Sequence, residues 1–177
     1  TYTNNLCLNG GNFMAKRKSS VGKPLSFVAA VLGLAAVVML FLPAIGIKDT
    51  DTTYTGLQIT FGYKESLLGF EYTVFDFSFM NLLTYILAVV GIVFSVLSAM
   101  GKGSKFAAFI AAAAFAVSGV FFFLSVSYTL PNEDASKIIS FVGGDIKDAL
   151  TLAYGAIIGG VASLLAAVCN LGKIVLK

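Results

Sequence analysis

The chain has 177 residues, of which 58% are hydrophobic and 12% are charged, and its formal net charge is +3. Soluble domains usually carry about 25% charged residues, so this composition excludes an ordinary soluble domain. Histidine is absent, which removes the commonest zinc ligand and the commonest general base. The two cysteines, Cys7 and Cys169, lie near opposite ends of the chain, so no disulfide framework is predicted.

The first segment, residues 1–13, precedes Met14, which a basic stretch follows at once. The residues just before Met14 read Gly-Gly-Asn-Phe, which a purine-rich ribosome-binding sequence could encode a few bases upstream of a start codon. We therefore interpret residues 1–13 as translated upstream DNA before a bacterial protein that starts at Met14. The alternative interpretation is a genuine disordered tail or an expression scar. Residues 14–24 are then a basic N-terminus.

Four segments meet the requirement for a membrane span, which is about 20 apolar residues to cross about 30 Å of hydrocarbon. None contains Asp, Glu, Lys, Arg or His; they are residues 25–47, 80–100, 106–128 and 149–171. We predict an all-α membrane protein with a bundle of four transmembrane helices. A cleaved signal peptide is the alternative for the first segment. Its apolar core before Pro43 has 18 residues, which is longer than the usual core of about 7–15.

Basic residues indicate the orientation of the spans. Eight of the twelve lie in the N-terminal segment, in the short connection 101–105 and in the C-terminus 172–177. All nine acidic residues lie in the two longer loops, 48–79 and 129–148. Because Lys and Arg favour the cytoplasmic side, we predict a plasma-membrane protein with both termini in the cytoplasm and both longer loops outside.

The first external loop shows the period of two that is typical of half-buried strands. Residues 57–63 alternate apolar with polar or glycine positions, and residues 70–79 alternate again and are rich in Phe, Tyr, Thr and Val. We predict a β-hairpin joined near residues 64–69 that lies across the outer ends of the helices, because an isolated hairpin is only marginally stable. The candidate interaction surface comprises Tyr54, Phe61, Tyr63, Phe70, Tyr72 and Phe75.

The second external loop has acids at positions 133–134 and glycines at positions 143–144, which are helix start and stop signals. We predict a short helix there, and we expect Asp145 to cap the fourth span. The carboxylates at positions 49–51 and 133–134 are of the kind that binds calcium, but their spacing does not match an EF-hand loop. We therefore predict no metal site.

Small residues at a spacing of four form stripes on the spans, and such stripes allow helices to approach closely in lipid. The second span carries Gly91 and Ser95, and the fourth carries Gly155, Gly159 and Ser163. We predict packing within a compact four-helix bundle. Homo-oligomerisation through the fourth span is the alternative.

Motifs for catalysis and for nucleotide binding are missing, and so are acidic pairs inside the membrane. We therefore predict a protein that is not an enzyme, has no cofactor and binds no nucleic acid. The leading hypothesis is a structural or interaction protein of the cell envelope that presents the external hairpin to itself or to another envelope protein. The alternatives are an oligomeric channel or transporter subunit and an accessory protein of an envelope enzyme.

The order of four spans, a β-rich first external loop and a shorter second loop resembles the claudin-type tetraspan layout over residues 25–172. It also resembles small uncharacterised four-span membrane proteins of bacteria. The resemblance is one of layout. In the claudin family Gly-Leu-Trp and two cysteines mark the first loop, whereas here Gly56-Leu57 is followed by Gln58 and neither loop contains cysteine. The resemblance therefore implies the architecture and no functional residue.

Overall fold

A computed structural model describes residues 22–48, 51–67, 70–101, 104–133, 136 and 149–176. The predicted leader 1–13, most of the helix predicted in the second loop, and Asp145 lie outside the described residues. The described part of the chain is mostly helical and has two small antiparallel sheets.

Four long helices carry the spans: α1 (Gly22–Val38), α3 (Phe79–Ala99), α4 (Ser104–Phe123) and α6 (Tyr154–Val175). Their mean hydropathy ranges from 1.8 to 2.4 over 19 to 22 residues, counting the turn of 3₁₀-helix that extends the first. A helix of about 20 residues spans about 30 Å, the thickness of the hydrocarbon core. The prediction of four helices able to cross a membrane is confirmed, as expected of a multi-pass membrane protein.

The four helices form a closed bundle in which each has two neighbours. Helix α4 packs on α3 and α6, and α1 also packs on α3 and α6. One of the two diagonals, between α3 and α6, is bridged by side chains, because the Asn170 Nδ2 donates to the Ser95 Oγ at 2.9 Å and Lys173 donates to Ser98. Lipid gives no hydrophobic drive for helix association, so such hydrogen bonds and close packing hold the bundle together.

The first span ends earlier than the sequence predicts. Helix α1 gives way to a turn of 3₁₀-helix at Met39–Phe41, and residues Pro43–Ile47 form strand β1. Proline has no amide hydrogen and disfavours a helical conformation in the residue before it. Accordingly Leu42 is extended, with φ −102° and ψ 159°. The apolar run therefore continues beyond the span as a buried strand.

Strand β1 is the centre of a three-stranded antiparallel sheet. It pairs with β2 (Thr53–Thr55) on one side and with β5 (Leu150–Leu152) on the other. Because β5 directly precedes α6, this helix begins at Tyr154 with Ala153 as its N-cap, and not at the predicted residue 149 with an Asp145 cap. The sheet thus joins the end of the first span to the start of the fourth.

The second sheet is the predicted hairpin, formed by β3 (Tyr63–Leu67) and β4 (Phe70–Phe75). The prediction of a strand through residues 57–61 is wrong, because Gly56–Phe61 forms the short helix α2. A capping box starts this helix: the Thr55 Oγ1 accepts from the Gln58 amide at 3.3 Å, and the Thr55 amide donates to the Gln58 Oε1 at 2.8 Å. These local hydrogen bonds outweigh the alternating pattern. Another short helix, α5 (Ser125–Tyr128), follows α4.

The core of the sheet region is continuous with the upper end of the bundle. Buried residues from both sheets, from α2 and from the first turn of α6 pack together, namely Ala44, Ile45, Tyr54, Ile59, Val74, Phe75, Leu150 and Ala156. Below them Phe122 packs with Tyr85, and Phe115 packs with alanines of α1 and α6. The two sheets with α2 are called the head below, and they rest directly on the helices.

Candidate interaction surface

The aromatic residues of the head divide into a buried group and an exposed group. Tyr54 and Phe75 are 6% and 1% exposed, and their rings meet edge to face with centroids 4.8 Å apart. The ring of Tyr63 lies 5.9 Å from Tyr54. Edge-to-face pairs are the preferred aromatic geometry and stabilise by about 0.5–1.5 kcal/mol beyond area burial. This group therefore holds the head together.

The six residues predicted as an interaction surface consequently do not share one accessible face. Tyr54 and Phe75 belong to the core, and Tyr63 and Tyr72 are half-buried and pack against it. Phe61 is 54% exposed. Phe70 pairs with Leu67 across the hairpin, and its side chain lies outside the described residues.

Phe61 forms an exposed pair with Phe77, which the sequence analysis did not include in the surface. Their ring centroids are 6.5 Å apart, and Phe77 is 49% exposed. The alternation of residues 70–79 placed Phe75 and Phe77 on the same face. The structure separates them because β4 ends at Phe75. The pattern alone gave no signal for this end.

The outward face of the hairpin is polar. Ser66 pairs with Glu71 and Lys64 pairs with Thr73, and directly opposite residues of two paired strands share a face. Lys64, Ser66 and Glu71 are exposed, whereas Glu65 and its partner Tyr72 are half-buried on the other face. The head thus presents one positive and one negative side chain on the described part of this face, beside the exposed Phe61–Phe77 pair.

The Tyr72 hydroxyl donates to the Glu65 carboxylate at 3.3 Å on the inner face of the hairpin. Burial is the main cause that raises the pKa of Tyr72, and the negative charge of Glu65 adds to it. The pKa of Tyr54 is raised for the same two reasons in the same order. Both hydroxyls are therefore neutral donors at physiological pH.

The start of the second loop forms a strap along the free edge of β4. The Asp76 amide donates to the Leu130 carbonyl at 2.9 Å, and the Asn132 amide donates to the Val74 carbonyl at 3.1 Å. The Asn132 Nδ2 also donates to both oxygens of the Asp76 carboxylate, at 2.9 and 3.0 Å. Since an open strand edge favours pairing with another chain, the strap blunts this edge of the hairpin.

The small residues predicted for helix packing make their contacts within the chain. A Cβ at Gly91 would meet the Phe115 ring at 2.8 Å, a Cβ at Gly159 would meet the Phe122 ring at 2.8 Å, and a Cβ at Gly155 would meet the Pro43 carbonyl at 2.5 Å. Ser95 accepts the hydrogen bond from Asn170 described above, and Ser163 is fully buried. This geometry agrees with packing inside one bundle.

Lys173 was predicted to lie in the C-terminus 172–177, beyond the fourth span, but the structure places it inside the helix. It lies in the last turn of α6 and is 5% exposed, and its Nζ donates to the Ser98 carbonyl at 2.5 Å and to the Ser98 Oγ at 2.7 Å. A cation is favoured at the carbonyl end of a helix, here the last turn of α3. Its aliphatic stem packs against Gly22 of α1, so one side chain joins three helices.

Among the residues that the structure describes, no cluster of three or more His, Cys, Asp or Glu side chains could hold a metal ion. No protein-family model, curated protein or solved structure matches the chain.

Proposed function

We propose that this chain is a non-enzymatic protein of the bacterial cell envelope, and that its head lies outside the plasma membrane and contacts a second copy or another envelope protein. The observation that carries the proposal is the outward face of the hairpin, with Lys64, Ser66 and Glu71 exposed on a support of buried aromatics. Such a surface offers polar groups to a partner on a firmly packed support. Basic residues at the opposite end support the external placement of the head.

The interior of the bundle is filled by aromatic rings, which supports a role without a pore through a single chain. Phe115 and Phe122 are fully buried, and their rings touch Gly33 of α1, Gly91 of α3 and Gly159 of α6. Tyr85 meets Phe122 edge to face with centroids 5.2 Å apart. These rings fill the middle of the bundle between its two polar ends.

The orientation is tested with single cysteines in a background that lacks Cys7 and Cys169. Ser66→Cys is expected to react with a membrane-impermeant maleimide in intact cells, because Ser66 is exposed on the head. Lys105→Cys, at the start of α4 and also exposed, is the matched control and should react only after the membrane is opened. The reverse pattern would contradict an external head.

The contact itself is tested with a photo-crosslinking amino acid at position 66 in intact cells, followed by identification of the captured species. One defined product, either the dimer or one envelope protein, is expected from position 66. The same probe at position 105 should not give it. Absence of a defined product from position 66 would overturn the proposed contact. Robust ion conductance by the purified protein in liposomes would overturn the proposal in favour of a pore.

A further inference from the structure

A small polar cavity lies where the head meets the bundle. Its volume is about 10 Å³, counted as the space open to a water-sized sphere, and residues from β1, α2, α3, α4, α5 and α6 line it. They include three polar side chains, Asn81, Thr84 and Ser125, which are 2%, 2% and 5% exposed. The aromatic rings of Tyr85 and Phe122 form another part of its wall.

The hydrogen bonds of the Asn81 side chain satisfy the NH2 group of its amide. The Nδ2 donates to the Ile59 carbonyl at 3.4 Å and to the Thr129 Oγ1 at 3.2 Å. The Thr129 hydroxyl uses its own hydrogen on the Ser125 carbonyl at 2.8 Å, so it can only accept from Asn81. Both amide hydrogens are therefore used, and the Oδ1 is the acceptor that is left.

Neither the Asn81 Oδ1 nor the Ser125 Oγ has a hydrogen-bond partner among the described residues. A buried polar atom without a partner destabilises the fold by about 1–3 kcal/mol, so such atoms are normally satisfied by protein or by ordered water. An amide oxygen or a hydroxyl that cannot reach a protein partner is commonly bridged by water where a polar cavity is large enough. One water needs a cavity of about 10–15 Å³ and two to four polar partners.

We propose that this cavity is a binding site for a single water molecule, which donates to the Asn81 Oδ1 and bridges it to the Ser125 Oγ. The water completes a ring of hydrogen bonds that runs from Asn81 through Thr129 to the Ser125 backbone and returns through the water. This ring joins α3 to α5, while the Asn81 amide also holds α2 of the head. A monovalent cation fits less well, because no lining residue is charged and only a few oxygens converge.

Radiolytic hydroxyl labelling of the full chain in lipid nanodiscs tests the proposal, because an internal water generates radicals beside the rings that it touches. The rings of Phe122 and Phe115 are 1% and 0% exposed, but only Phe122 lines the cavity. Phe122 is expected to be labelled several-fold faster than Phe115. Equal labelling of the two rings means a dry cavity and overturns the proposal.

Two serine variants separate the site from a general effect. Ser125→Ala should reduce labelling of Phe122 to the level of Phe115. Ser163→Ala is the matched control, since Ser163 is also buried and its Oγ has no partner among the described residues, but it does not line the cavity. Labelling of Phe122 that survives Ser125→Ala, or that falls equally in Ser163→Ala, contradicts the bridge.

Replacing all sodium and potassium by choline distinguishes water from a bound cation. Labelling that is unchanged supports water, and labelling that changes with the cation overturns it. An experimental density map gives an independent result: a peak within about 2.7–3.2 Å of both oxygens is expected, and a cavity without a peak in a map that shows other ordered waters contradicts the site. These outcomes do not depend on whether the head contacts a partner.

Discussion

The contact that most directly tests the packing of the bundle is that of Phe115, which is fully buried between two glycines of different helices. A Cβ at Gly33 of α1 would lie 2.5 Å from the Phe115 Cζ, and a Cβ at Gly91 of α3 would lie 2.8 Å from the same atom. The ring comes from α4, so three helices meet here through one side chain. An alanine at either glycine must therefore displace the ring or separate the helices.

The size of the effect follows from these distances. Ordinary carbon contacts start at 3.4 Å, so the Phe115 ring must yield 0.9 Å for Gly33→Ala and 0.6 Å for Gly91→Ala. Insertion of a methyl group into a well-packed core destabilises by about 1–3 kcal/mol. We expect the larger loss for Gly33→Ala, where the new carbon also meets Ile92 at 2.7 Å. Helix propensity acts in the opposite direction, since alanine is favoured over glycine by about 1 kcal/mol.

The assay is the free energy of unfolding of the full chain in mixed micelles, measured for each variant and for pairs with Phe115→Leu. The smaller Leu side chain leaves room for the added methyl group and should recover part of the lost stability. The double variant Gly91→Ala/Phe115→Leu should therefore be more stable, by about 0.5–3 kcal/mol, than the sum of the two single changes predicts.

The control for these variants is Gly46→Ala in β1, because a Cβ there meets nothing closer than 3.6 Å. Its stability should be close to that of the unchanged chain. The packing argument fails if Gly33→Ala and Gly91→Ala are as stable as Gly46→Ala, or if Phe115→Leu gives no recovery.

Three further predictions concern the head. Thr55→Ala removes the cap of α2 and should lower the stability of this helix by about 0.5–2 kcal/mol, seen as faster hydrogen exchange of the α2 amides. Gln58→Ala should have a smaller effect of the same kind. Unchanged exchange in both variants would contradict the capping box. Asn132→Ala removes the side-chain bonds to Asp76 and leaves the backbone bonds of the strap, so it should loosen the strap and speed exchange of the Asp76 amide. Overall stability should change little, because the lost side-chain bonds are exposed. Because burial, and next the charge of Glu65, raises the pKa of Tyr54 above 10.0, the folded form binds this proton more tightly than the unfolded chain. This contribution to stability is fully present below about pH 10 and is lost as the pH rises through the folded-state pKa of Tyr54. The thermal unfolding temperature of Tyr54→Phe should therefore fall less at alkaline pH than that of the unchanged chain.

The number of spans could be predicted from the sequence because the membrane imposes a strong condition on length and composition, and each of the four apolar runs overlaps a helix that satisfies it. The ends of the helices could not be predicted in the same way. Residues 43–47 and 150–152 are as apolar as the spans beside them, yet they form strands that pair with each other. That pairing depends on contacts across more than a hundred residues, which hydropathy does not contain.

The sequence indicated that the head is rich in aromatic residues, but it did not indicate which of them are buried and which are exposed. An alternating pattern states which residues share a face, and it does not state which face is buried. The answer depends on α2, whose start is set by Thr55 and Gln58, and on the strap at residues 130–132, which pairs with the end of β4. A capping box was present in the sequence at these two positions and could have predicted α2.

The head and the bundle are connected at several separate points. Gly155 at the start of α6 rests on the Pro43 carbonyl, Gly56 of α2 rests on the Tyr85 hydroxyl of α3, and Asn81 of α3 holds the Ile59 carbonyl. Each of these contacts involves backbone atoms and leaves little free space between the head and the helices. The head therefore cannot tilt without moving α3 or α6. These two helices also share the buried bonds of Asn170 and Lys173 at the far end. A displacement of the head is therefore expected to shift α3 and α6 together at both ends of the bundle.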